Sequence, residues 1–404
     1  MRESEKPTGR WGDTEIGRTK DKTGTKDGHG REICSALIDW GRWGVRGRMR
    51  KLKFHPCGKF NERYEEELTV FSTDFGRLWT GIGLFLLFVI IPTVSSHYIL
   101  YIINHIGIAA IAAIGLNILI GFTGQISLGH GAFFGVGAYS TAILATVAGF
   151  PFWLSVPAGG VITAFVGVIF GIPSIRLKHL YLTIATLAGQ FIIQYVLVNW
   201  VSLTRGAEGI FLPRADILGL NLKTDRAFFY VIFLCFVVLT WMSVNLIRTR
   251  YGRAFIAIRD NDRAAEGMGI PIFKYKLVSF AISSFYAGFA GGLAAYYIGS
   301  ITPEPYTLFL SVEYIAMIII GGLGSIPGAI FGAVFITGLN EALSGATQFF
   351  MNIGSLSKIA LQIAPLREFI FGLAIVLFII FEPRGLAEVW RIIRSSFKLW
   401  PFSY

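Results

Sequence analysis

LWTGIGLFLLFVIIPTVSSHYILYIINHIGIAAIAAIGLNILIGFTGQISLGHGAFFGVGAYSTAILATVAGFPFWLSVPAGGVITAFVGVIFGIPSI, residues 78–175, runs for 98 positions without an Asp, Glu, Lys or Arg. A spanning helix needs about 20 predominantly apolar residues, so this stretch holds several crossings. Four further charge-free runs follow, at 180–204, 227–247, 277–303 and 314–340. One such run fits a buried core; five in one chain fit a bilayer. The whole chain is 53% hydrophobic and 15% charged, where a soluble domain carries about 25% charged residues. The fold class expected is therefore all-α: a polytopic transmembrane bundle of about ten spans, interrupted by Gly-rich breaks. The spans are placed at 78–96, 98–120, 133–149, 153–173, 180–200, 227–247, 277–298, 308–322, 326–345 and 367–382. Those at 133–149 and 308–322 are short, and each could be re-entrant and not spanning.

Charge fixes the orientation. The net charge of +11 sits in the tails and short loops, the pattern of Lys and Arg retained on the cytoplasmic face, so nucleic acid is not a partner. Loop 248–276 carries seven Lys/Arg against three acids, which puts it in the cytoplasm. Ten crossings then leave both termini inside, and 202–226, 299–307 and 346–366 outside. Residues 1–48 are polar and aperiodic, and read as disordered; the working polypeptide is expected to start at Met49 or to do without 1–48. Residues 49–77 form a cytoplasmic lead-in, 78–386 the membrane domain and 387–404 a cytoplasmic tail. Cys34, Cys57 and Cys235 show no metal or redox spacing. No cofactor is expected.

Two Gly-rich segments interrupt the apolar runs. Gly121 to Gly137 holds six glycines in seventeen residues, too many for a continuous helix, and broken helices often line a transporter's substrate path. Asn117, Gly124, Gln125, Ser127, Gly129, His130 and Gly131 are the candidates there. The competing reading is close helix packing, which also suits Gly288-x-x-x-Gly292. In the second segment, Gly321 to Gly328, Pro327 removes a donor inside the apolar zone; Gly322 and Gly324 join the candidates. So does Glu313, an acid at the head of a span.

Segment 250–271 is the most informative soluble stretch. Asp262 to Met268 has good helix formers with acids toward the start, and Gly267, Gly269 and Pro271 stop it. A short amphipathic helix lying against another protein fits. No phosphate-binding G-x-x-x-x-G-K-[ST] loop, G-x-S-x-G or H-E-x-x-H occurs, so no catalytic residues are assigned and any ATP hydrolysis belongs to another chain.

These same residues resemble a family. CGKFNERY (57–64), GLNILIGFTGQISLGHGAFFGVGAY (115–139), AIRDNDRAAEGMGIPIFKYKL (257–277), SVEYIAMIIIGGLGSIPGAIFGA (311–333) and FEPRGL (381–386) are similar to the LivM-type permeases of branched-chain, or hydrophobic, amino-acid ABC transporters. The resemblance implies a bacterial inner-membrane importer subunit. Its implied partners are a second, homologous permease, two cytoplasmic ATP-binding subunits and a periplasmic solute-binding protein. It also implies that Arg259, Asp260, Asn261, Ala264, Ala265, Glu266, Gly269 and Ile270 belong to an ATPase-coupling loop, with Ala264, Ala265, Glu266 and Gly269 at the contact. Two stretches depart from the family pattern. TLAGQFI stands at 186–192 where many members read TLGFGEI, and an Arg205–Glu208 pair replaces small neutral residues. Urea and short-chain amide permeases share the scaffold and stay open as a substrate alternative. A self-sufficient channel or facilitator is a further alternative, though it leaves segment 250–271 without a purpose.

Overall fold

The computed structural model describes residues 74–175, 180–213, 216–217, 220–221, 224–352, 366–382 and 385–399. The expected extension at 1–48 and most of the lead-in lie outside them. The architecture below belongs to the compact unit that takes in everything from Gly76 onward.

Helices form at all ten expected places. They are α1 (Asp74–Val94), α2 (His97–Asn117), α3 (His130–Thr146), α4 (Phe152–Ile175), α5 (Leu180–Asn199) and α6 (Asp225–Arg248). After α7 (Arg250–Asp260) and α8 (Asp262–Gly267) come α9 (Ile272–Ile298), α10 (Leu308–Gly321), α11 (Ile326–Asn352) and α12 (Leu366–Phe381). A last helix, α13 (Leu386–Leu399), occupies what the sequence suggests is a plain tail. Six are long and apolar enough to cross a membrane: His97–Phe122, Phe152–Pro173, Tyr181–Asn199, Asp225–Arg248, Ile272–Ile298 and Ile326–Gly345. At 17 and 14 residues, α3 and α10 reach only about 25 and 21 Å, short of a hydrocarbon core of about 30 Å. Large apolar side chains stay exposed along the outer faces, among them Phe165 on α4, Tyr195 on α5 and Trp241 on α6. An apolar exterior of that extent suits lipid rather than water. The protein is an all-α helical membrane protein, with two small antiparallel ladders of two residues per strand.

The centre is α9. It packs against α4, α3 and α2, and its run from Ser279 to Tyr296 is almost wholly buried. Glycine makes this seam: a Cβ on Gly137 of α3 would fall 2.1 Å from the Cα of Gly288, and one on Gly291 would fall 2.0 Å from the carbonyl oxygen of Phe134. Here the packing reading of Gly288 to Gly292 holds. Polar pairs add specificity across helices, with the Ser243 hydroxyl 2.8 Å from the Tyr286 hydroxyl and that of Ser155 2.9 Å from Tyr296. At the far end, Ile210 and Phe211 pair with Ile301 and Ser300, closing the bundle opposite α7 and α8.

The second break is a tight helical hairpin. α10 ends at Gly321, and α11 starts at Ile326 with Pro327 in its first turn. The expectation that Pro327 leaves a deficit of donors is corrected here. First-turn amides have no intrahelical partner, so proline is well tolerated at that position.

Candidate functional site

The two Gly-rich breaks, far apart in sequence, lie against one another. α2 ends in a wide turn at Ile118–Phe122, and 123–129 continue without helix. The Asn117 amide grips the other break with both its atoms: Nδ2 donates to Ser325 O (2.8 Å), and Oδ1 accepts from Gly324 N (3.0 Å). Arg259 completes the junction. From the end of α7 its Nη1 donates to the carbonyl oxygen of Gly121, at 2.9 Å. Gly124 and Gly324 flank the arginine at φ +73° and +74°, conformations that suit glycine. A Cβ at Gly124 would lie 3.1 Å from Arg259 Cγ, and one at Gly324 would lie 2.9 Å from Nη1. Gly322 backs the junction against Gly385, where a Cβ would fall 2.6 Å from the Gly322 Cα. Arg259, which the family resemblance assigns to the coupling loop, thus bonds the first break and lies against Gly324 of the second.

The remaining candidates on the first break bond to protein. Gln125 donates to Ser279 Oγ (2.9 Å) on α9, and Ser127 Oγ accepts from Gly129 N (3.4 Å). His130 Nε2 meets Ala112 O at 3.0 Å, and its ring stands edge-on to Tyr314. A Cβ on Gly129 would come within 3.1 Å of Thr186 O, and one on Gly131 within 2.9 Å of Ser311 Oγ. Two residues that sequence reasoning missed close this region. Ser311 Oγ accepts from Gly131 N and Gln190 Oε1 from Ala132 N, both at 2.8 Å. First-turn amides of α3 thus find acceptors on α10 and α5, as a helix start remote from water requires. Polar side chains inside otherwise charge-free runs were the available signal. Glu313 lines a cavity at the end of the bundle opposite α7.

The coupling segment is built as a capped unit. Asn261 Oδ1 accepts from the amides of Arg263 (3.1 Å) and Ala264 (3.2 Å), starting α8. Its end is a Schellman turn: Gly269 N bonds Glu266 O, Ile270 N bonds Ala265 O, and Gly269 sits at φ +83°. No atom lies within 4 Å of a Cβ there, so backbone conformation and not close approach selects glycine. Lys276 Nζ meets Asp262 Oδ2 at 2.7 Å and fastens α8 to α9. Asp260 pairs with Arg259 at 3.2 Å. Ala264, Glu266 and Gly269 are exposed. Ala265, at 2% exposure, faces into the chain, which corrects its placement at a contact; Met268, at 82%, is the projecting side chain instead.

Residues 98–379 match the family model described as branched-chain amino acid transport system / permease component. The chain belongs to that family. Similar relatives include the high-affinity branched-chain amino acid transport system permease protein LivM of Salmonella typhimurium, 31% identical over 305 residues, covering 70% of this chain and 68% of the relative. Its Escherichia coli counterpart is 30% identical over the same coverage. The permease protein LivH of Escherichia coli is 29% identical over 260 residues, 59% of this chain and 82% of the relative. No solved structure matches the permease.

The Arg205–Glu208 departure takes on a conformational meaning in this permease. Both side chains are exposed and make no ion pair with one another. Arg205 caps the one-turn helix Val201–Thr204 at φ +59°, where it is the one non-glycine with positive φ among the described residues.

Proposed function

We propose that this permease moves branched-chain or related hydrophobic amino acids across the bacterial inner membrane, driven by hydrolysis in separate ATP-binding subunits. It would work beside a homologous second permease and receive solute from a periplasmic binding protein. Both termini and α7–α8 would face the cytoplasm. The observation that carries this reading is Arg259. Residues exposed on α8 can meet another protein, and one helical turn away Arg259 bonds the first break, which Asn117 ties to the second, so a push on α8 has a short route into the membrane domain. Gly269→Val tests it. A β-branched residue at φ +83° is strained by about 1–2 kcal/mol or more, which reshapes the end of α8 without touching a span. The expected result is normal membrane abundance with ATP-binding subunits lost on copurification, or retained without solute-stimulated hydrolysis. Wild-type stimulation and uptake would remove α8 from the mechanism.

The same reading makes Arg205 a conformational residue and not a selector of solute. Glycine there relieves left-handed strain of about 1–2 kcal/mol and gives back about 0.4–1 kcal/mol in unfolded-state entropy. Arg205→Gly is thus expected to leave abundance unchanged. Competition of labelled leucine uptake by isoleucine, valine and urea should match wild type. A changed order of competitors would return Arg205 to the solute path.

A further inference from the structure

The last helix, α13 (Leu386–Leu399), is two-sided in composition. Wound at 3.6 residues per turn, LAEVWRIIRSSFKL sets the apolar positions 386, 389, 390, 393 and 397 within a sector of about 100°, and the basic positions 391, 394 and 398 within about 60° on one flank. Three bases against one acid give the helix a net charge of +2. The acid, Glu388, lies in the first turn, where a negative charge suits a helix start, and pairs with Arg391. The apolar stripe begins on protein: Leu386 packs against the core, and the Trp390 ring stands 5.9 Å from that of Phe331 on α11. It ends uncovered, with Trp390 still 54% exposed and Ile393 42%. α12 ends at Phe381, so α13 starts where an apolar helix stops. Its location along the bundle follows from two glycines. A Cβ on Gly385 would fall 2.6 Å from the Cα of Gly322, and Arg259 of α7 lies against Gly324 of that same break. α13 therefore starts at the end of the bundle that carries α7 and α8.

We propose that α13 lies in the plane of the membrane surface, on the face where α7 and α8 lie, and binds anionic phospholipid headgroups with its basic flank. A helix of this kind seats its apolar stripe at the boundary of headgroups and acyl chains and keeps its Lys and Arg on the polar side. Two observations select lipid as the occupant. The first is charge: a basic flank complements anionic headgroups, which draw Lys and Arg beside a span to the surface. The second is continuity. The exposed apolar exterior of α12 runs through Phe369, Val376 and Ile380 to Phe381, and resumes on α13 at Trp390 and Ile393. Tryptophan at the edge of such an exterior is the residue enriched at membrane–water interfaces. The anchor also reaches the breaks. Gly385 sets α13 against Gly322, so headgroups that hold α13 also back the second break, which Asn117 ties to the first.

The full-length chain in nanodiscs tests this. One set of discs holds phosphatidylcholine alone, the other phosphatidylcholine and phosphatidylglycerol in equal parts, and backbone hydrogen exchange is followed across α13. Each base near an anionic surface contributes about fivefold to binding. Exchange of the α13 amides beyond the first turn is therefore expected to slow about tenfold or more in the anionic discs, with α9 unchanged as the internal reference. About 1 M NaCl, which cuts the reach of charge to about 3 Å, should remove the difference. The triple variant Arg391→Gln, Arg394→Gln and Lys398→Gln should lose it too, and Ile393→Ser, which interrupts the stripe, should speed exchange in both kinds of disc. Equal exchange of wild-type α13 in the two discs overturns the proposal, and that comparison needs no variant to fold. A difference that survives in the triple variant overturns it as well, because the lipid contact then belongs to another part of the chain. Slowing that appears only when an ATP-binding subunit is added, in neutral discs as in anionic ones, overturns it in favour of a protein-docking helix.

Discussion

Arg259→Ala is expected to reduce solute uptake at least about tenfold while the ATP-binding subunits still copurify with the permease. The argument is local. Nη1 donates to the Gly121 carbonyl oxygen at 2.9 Å, and the stem packs where Gly124 and Gly324 leave room for it. Removing a charged donor from that carbonyl costs about 1–3 kcal/mol, and the first break loses its tie to α7. Asn117 still joins the two breaks to each other, so the fold should survive, but α7 would no longer grip the first. Hydrolysis would continue without transport. Arg259→Lys should recover little, because a point ammonium cannot reproduce the fork of a guanidinium. The measurement is uptake against hydrolysis in membranes holding equal amounts of each variant. Wild-type uptake in Arg259→Ala would mean that force enters the membrane domain elsewhere.

Gly137→Ala is expected to remove the protein from the membrane altogether. A methyl there would sit 2.1 Å from the Cα and 2.2 Å from the carbonyl oxygen of Gly288, far inside an ordinary carbon–carbon contact of about 3.5 Å. Neither neighbour is a side chain that can swing aside. α3 and α9 would have to part by more than an ångström along the central seam, and overpacking costs about 1–3 kcal/mol or more even where cores can adjust. Gly81→Ala is the control. No atom lies within 4 Å of a Cβ at Gly81, and alanine favours a helix over glycine by about 1 kcal/mol. Its abundance, read by size-exclusion of the detergent-solubilised protein, should equal or exceed wild type. Normal abundance of Gly137→Ala would show that the seam is looser than its glycines imply.

Much of the fold was legible because it depends on short-range properties. Apolar stretches mark helices at every expected place, and Gly269 could be read as a helix stop with positive φ because a Schellman turn is set within six residues. Less of the site was legible. Gln125, His130 and Asn117 stand out because polar residues in an apolar run need partners, and the partners they find lie elsewhere in the chain, up to 208 positions away. Ala265 reads in sequence like its exposed neighbours, yet on a six-residue helix one position decides which face a side chain takes. Pro327 looked disruptive because only the structure places it in a first turn.

The sequence by itself determined that this chain is a helical membrane protein and where its helices break. These follow from hydropathy, charge and glycine or proline placement, all felt over a turn or two. Only the tertiary structure decided that the two breaks meet, that Arg259 bonds one of them and lies against the other, and that Glu313 lines a cavity. Inside a bundle with little water, each buried polar group must find its partner in the protein. Which partner it finds depends on how the helices pack, and that is settled by many weak contacts at once.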